Sequence, residues 1–337
     1  MAVGKTSSAA APVHLFSHGT TMMLGEESAS ANYWKKCGDE ALARGVKHIV
    51  MMVSSSLSFP CLCFYESHLT TSQGAHWSTS DPGVLISANP KPAKSPVAYV
   101  HPSKYQSYEL NPDLDFIPTI QAHLSAAGIP SRPDPTFDWI HDTYLVLVRM
   151  FPAGCPPTTI VSTNSLYDPH FHAAVGAALR PLRADFAAHR TLFVGSGGSV
   201  HNLYRNVWGP MVRHRDNFAQ PTPPGPWALD FRQEVVDVFC AGASARVPAD
   251  EAAFGREIRS GGKGVGGPLL RRKATSLMKH PRYRDAHATD DHFMATMFVA
   301  GLCGNKADEG MEGVMGAEDW ELTNMCNSQF TIGSWVE

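Results

Sequence analysis

Four histidines stand in short settings of small or polar residues. They are His18 in Ser17-His18-Gly19-Thr20, His76 in Gly74-Ala75-His76-Trp77, His201 in Ser196-Gly197-Gly198-Ser199-Val200-His201-Asn202-Leu203, and His292 in Thr289-Asp290-Asp291-His292-Phe293. A neutral imidazole offers one ring nitrogen to a metal ion, and it suits Fe(II) and Zn(II). Three such ligands leave coordination positions open for substrate. An imidazole also gains and loses a proton near neutral pH. Together these histidines imply one divalent-metal site, assembled from segments far apart in the chain, with a proton-transfer group beside it. Most of the sixteen histidines in the 337 residues are expected to be surface or core residues instead. His14, His48 and His68 read that way.

Strands and helices must bring these side chains together. Thr191-Leu192-Phe193-Val194 reads as a buried strand that ends in Gly195-Ser196-Gly197-Gly198-Ser199 and delivers His201. Its glycines would let backbone come close to a ligand. Val13 to Phe16 is a first strand with His18 leaving its end, and Val46 to Val53 is apolar enough to be central. Further strands are expected at 84–86, 158–161 and 329–332. Helices are expected at 28–44 (stopped by Gly45), 113–128, 143–150, 169–183, 227–241, 250–259, 269–278 and 293–302. Val207 to Pro226 reads as a Pro-rich connection, Ser260 to Gly267 as a flexible loop, and the acidic, Gly-rich Asn305 to Ala317 as mobile. Alternating strands and helices predict one α/β domain, with a central, mostly buried mixed sheet flanked by helices, over 13–337. Residues 1–12 read as a flexible N-terminus.

Composition narrows the function. Apolar content of 43% is that of a globular protein, and a net charge of −3 gives no electrostatic reason to expect nucleic acid. No apolar run approaches the roughly 20 residues of a membrane span. The seven cysteines are scattered, and their odd number fits a reducing compartment. A cytoplasmic protein with no membrane partner is expected. Gly261 to Gly267 lacks the order of a phosphate-binding loop. Arg271-Arg272-Lys273 reads as a solvated helix face.

Ser54 to Gln73 is Ser/Thr-rich and interrupts a strand-like run. Deleting Val53 to Gln73 on paper joins Met52 to Gly74 and gives a strand with His76 at its end. The deleted piece begins with Val and ends with Gln, as intron borders translated in frame could. We therefore expect 54–73 to be an insertion or a retained intron. An abundant transcript that encodes it in the active protein would rule out the intron.

The four histidine motifs, in this order, resemble the class III extradiol ring-cleavage dioxygenases. The similar branch contains the DOPA dioxygenases and the catalytic subunit of protocatechuate 4,5-dioxygenase. The likeness runs from Val13 to the C-terminus, apart from the interruption. Asp138-Trp139-Ile140-His141-Asp142 matches a fifth motif, except that Asp142 stands where the motif carries Gly. The resemblance implies that His18, His76 and His292 hold the metal. It implies that His201 is the acid–base residue, close enough to be a fourth ligand in a resting zinc form, and that His141 contacts substrate or oxygen. Asp290 and Asp291 could orient or replace an imidazole. Asn202, Tyr144 and Trp77 are candidate pocket residues, and His287 is the nearest rival to His292.

The expected enzyme is a non-haem extradiol dioxygenase in aromatic compound metabolism. It would use Fe(II), with Zn(II) as the alternative metal, to open the ring of a catecholic substrate with O2. A neutral three-imidazole set would leave the full charge on the ion and favour a chelating catecholate. The other expectations are a metal-dependent hydrolase on the same scaffold, or a binding protein that has lost its metal.

Overall fold

A computed structural model describes residues 10–53, 78–94, 96–240, 258–260 and 264–335. The expected mixed sheet flanked by helices is what the chain forms. Its strands are β1 (Val13–Ser17), β2 (His48–Val53), β3 (Ser78–Thr79), β4 (Val84–Ser87), β5 (Ser131–Asp134), β6 (Thr158–Val161), β7 (Thr163–Asn164), β8 (Thr191–Gly197), β9 (Ile258–Arg259), β10 (Gly313–Glu321) and β11 (Met325–Ile332). Nine of these build one sheet in the order β5-β4-β6-β2-β8-β1-β11-β10-β9, and β3 pairs with β7 in a small second sheet.

The centre of the large sheet, β6-β2-β8-β1, is parallel. Its strands are buried on both faces, which is why β2 reads as the unbroken apolar run Ile49-Val50-Met51-Met52-Val53. Parallel neighbours need crossovers. The helix Ala29–Ala43 connects β1 to β2, and the helix Pro169–Ala184 lies between β7 and β8. The first begins where the Ser28 side chain accepts a hydrogen bond from Ala31 N, and it ends ahead of Gly45 at φ +72°. Antiparallel pairs join this centre to its flanks, β4 against β6 on one side and β11 against β1 and β10 on the other, and the edge strand β5 runs parallel to β4.

One helix is buried on all sides. Every residue of Asp291–Leu302 is buried, between β8 and the helix Pro169–Ala184. Close contact explains the glycines of β8. A Cβ on Gly197 would lie 2.3 Å from the carbonyl oxygen of His292. These glycines seat a helix against a strand rather than admit a ligand, which corrects the expectation from sequence.

The structure overturns several further expectations. Asn305 to Ala317 is not loose, because β10 begins at Gly313 and all nine of its residues are buried. Asp308 is buried too, held by Arg180 Nε at 2.7 Å and Arg183 Nη1 at 3.0 Å. The acidic residues that follow in β10 are likewise matched by distant partners. Glu318 takes a two-pronged contact from buried Arg232, with both bonds at 2.7 Å. Asp319 accepts from Ser30 N at 2.7 Å, at the start of the Ala29–Ala43 helix. Residues 258–259 are the edge strand β9 and not the end of a helix, and 250–257 lie outside the described residues. The 113–128 helix starts only at Ile117, after Asp113 accepts a hydrogen bond from Phe116 N. A short helix, Gly209–His214, interrupts the Pro-rich connection. Ala11, expected in the flexible N-terminus, is buried and bonded to Arg183 through both its N–H and its C=O.

Residues 54–77 fall outside the described residues, and with them the expected insertion, His68, His76 and Trp77. The five described cysteines are free and buried. No helix among the described residues is long and apolar enough to cross a membrane.

Candidate metal centre

His18 directly follows β1, and its backbone N–H donates to Gly197 O at the neighbouring end of β8 (3.1 Å). His201 comes four residues after β8, fixed by its own N–H donating to Ala286 O at 2.9 Å. His292 is the second residue of the buried helix. A ring nitrogen from each of the three lies within 4.8 Å of the other two. The His201 and His292 rings stack with centroids 3.6 Å apart, and the His18 ring is 5.2 Å from that of His292.

Hydrogen bonds decide which nitrogen each ring presents. Ser196 Oγ donates its proton to Asp142 O at 2.7 Å. The Ser196 oxygen can therefore only accept from His18 Nδ1, 3.1 Å away. His18 thus carries its proton on Nδ1 and leaves the Nε2 lone pair free. His292 Nδ1 lies 2.9 Å from an Asp291 carboxylate oxygen, an ion-pair contact that orients the ring. Converging imidazole nitrogens are what a divalent ion requires, and the residues fit Fe(II) or Zn(II).

Burial and charge set the protonation of the group. Burial pulls the His18 pKa down to about 4, only partly offset by Asp142, so the ring is neutral at pH 7. Burial also lowers His201 well below its usual value, and the neighbouring His292 and His18 add to the effect. At His292 burial works in the same direction, but Asp291 outweighs it and the pKa rises. Asp142 is buried, which alone would raise its pKa, yet His141 and His18 hold it below the usual carboxylate range.

The loop after His18 is clamped. Gly19 has φ +64°, and a Cβ there would meet Glu321 Oε2 at 2.1 Å. The Glu321 carboxylate accepts from Thr20 N (2.9 Å), Thr20 Oγ1 (2.5 Å), Asn217 Nδ2 and Asn327 Nδ2. It sits at the end of β10, before a turn whose Leu322 and Thr323 both have positive φ. Each such non-glycine residue costs about 1–3 kcal/mol and persists only where packing fixes it. Here Leu322 is buried among Met22, Met211 and Met325.

Of the expected site residues, the fold brings His18, His201 and His292 together. His141 opens the helix His141–Met150, 39% exposed at its side chain, with Nε2 2.7 Å from Asp142 Oδ1. His287 does not compete with His292: its Nε2 donates to Ser199 O at 3.1 Å and its ring packs on Tyr283, Phe231 and Phe293. Asn202 is occupied by backbone, donating to Asp285 O and accepting from Tyr204 N. Tyr144 is buried and stacked on Tyr105. Sequence reading missed Ser196 and Glu321. The signal for Ser196 was a hydroxyl inside an otherwise apolar buried strand, and Glu321 had none before its strand was known.

No family model matches the chain. It is 34% identical over 135 residues to the dioxygenase tasH of Hapsidospora irregularis, a match that spans 38% of this chain and 39% of that protein. The crystal structure of uncharacterized protein JW3007 from Escherichia coli K12 superposes with a TM-score of 0.59. That alignment covers 96% of this chain and 100% of the other at 20% identity, a likeness of fold.

Proposed function

We propose that this chain is a metal-dependent extradiol dioxygenase that opens the ring of a catecholic substrate with O2. The observation that supports it most is the convergence of His18, His201 and His292 within 4.8 Å from three separate elements. The partial similarity to a dioxygenase points the same way. In this reading His18 and His292 hold the ion, with His76 as the third ligand that its motif implies. Fe(II) is the preferred ion and Zn(II) the alternative. When bound, the ion supplies Lewis acidity toward two adjacent hydroxyls and the redox chemistry toward O2.

The protein does the rest. Neutral His201 takes a hydroxyl proton as the substrate binds and returns it during ring opening. Ser196 fixes the tautomer of His18, and Asp291 orients the His292 ring. Glu321 keeps the His18 turn from moving. His141 lies at the exposed edge, where it can meet the incoming substrate.

The test is oxygen uptake by the chain reconstituted anaerobically with Fe(II), over a panel of catechols, with and without residues 53–73. Uptake matched to a yellow ring-opened product is expected. Metal-loaded protein that hydrolyses esters but consumes no oxygen with any catechol would contradict the reading.

A further inference from the structure

Asp142 has a carboxylate oxygen without a hydrogen bond in a place where such an oxygen is costly. Its side chain is 4% exposed, and Oδ1 accepts no hydrogen bond among the described residues. A buried carboxylate strongly disfavours the folded state unless a cation meets it, and the cation nearest Asp142 in the chain is His141, when protonated, at 2.7 Å. The same oxygen lies 3.5 Å from His18 Nε2. That nitrogen carries a lone pair, because Ser196 keeps the His18 proton on Nδ1. Two acceptors therefore face each other with no proton between them. Two atoms that share one ion at bond lengths of about 2.0–2.2 Å lie roughly 3.0–3.5 Å apart. The pair is arranged as neighbouring ligands are.

His141 approaches Oδ1 to 2.7 Å from the exposed side, but its ring N–H is not aligned to donate. The sequence sharpens the point, since Asp142 is the residue at which this chain departs from the motif it otherwise follows. We infer that Asp142 supplies a carboxylate oxygen to the divalent ion on the His18 edge of the site. This inference rests on the metal reading above. It changes the expected charge, because the bound ion is partly neutralised by the protein and not by substrate alone.

Co(II) serves as the probe, titrated into the metal-free full chain and followed by equilibrium dialysis and by its visible spectrum. The variants are Asp142→Asn, which keeps shape and removes charge, and His141→Ala. We expect one ion per wild-type chain, a dissociation constant at least tenfold weaker in Asp142→Asn, and an altered spectrum. His141→Ala should stay within about threefold of wild type with its spectrum unchanged. The melting of both metal-free variants is recorded alongside, so that affinity is read on folded protein. An affinity within twofold of wild type with the same spectrum would overturn the inference and leave the metal site standing. Equal weakening in both variants with no spectral change would also overturn it, showing that Asp142 acts only on His141. No Co(II) bound by the wild type would overturn the metal reading itself.

Discussion

Two buried polar clusters, one around the sheet's antiparallel flank and one at the ends of β1 and β8, are built from similar residues and behave differently. On the flank, Arg232 and Glu318 meet through two 2.7 Å bonds, and Trp320 Nε1 and Ser328 Oγ add donors to the same carboxylate. Every charge there has a partner in the chain. At the strand ends, His18 keeps a bare nitrogen and Asp142 keeps an oxygen that accepts no hydrogen bond. The first cluster holds the fold together. The second is where we propose that the metal ion binds.

If that contrast is sound, substitutions should separate stability from metal binding. The largest effect belongs to the flank. Arg232→Met strands the Glu318 carboxylate and should cost about 3–5 kcal/mol of stability. Chemical denaturation would measure it, while Co(II) affinity of the folded fraction stays at the wild-type value. His292→Ala should do the reverse. Loss of a ligand weakens Co(II) binding by at least about a hundredfold, more than loss of an outer partner does, measured on the folded fraction. Ser196→Ala frees the His18 tautomer and should weaken binding roughly tenfold, read by the same titration.

The smallest effect comes from acid. Burial pulls His14 to about 3 and His287 to about 4, so both are neutral in the folded chain. The unfolded chain, with histidines near 6.5, binds more protons at any pH between those values. Stability therefore falls as pH drops through 6.5 toward the folded values, by about 0.5–1 kcal/mol per buried histidine between pH 7 and 6. Denaturation of the metal-free protein at the two pH values would show it, and a flat profile would contradict the neutral burial of these rings.

The parallel centre of the sheet was legible because β1, β2 and β8 are apolar on both faces, a pattern that local sequence carries whole. The candidate site was legible because His18, His201 and His292 each follow small polar residues next to such an element. β10 was not legible. Its first residues fell in the stretch expected to be mobile, and the partners of its Glu318, Asp319 and Glu321, namely Arg232, Ser30 and Thr20, lie far off in the chain. A charged residue in a strand is interpretable only once its counter-charge is placed. The same reason hid Ser196, whose role depends on meeting both Asp142 and His18. The glycines of β8 were noticed and assigned to the wrong neighbour, since their need for space is local but the helix that fills it is almost a hundred residues away.

The most direct test of the central claim is anaerobic equilibrium binding of Fe(II) to the metal-free chain, with His18→Ala and His292→Ala measured alongside. One ion per wild-type chain is predicted, with binding lost in both variants while their folded spectra are retained. An iron stoichiometry of zero, or one that survives both substitutions, would contradict the account.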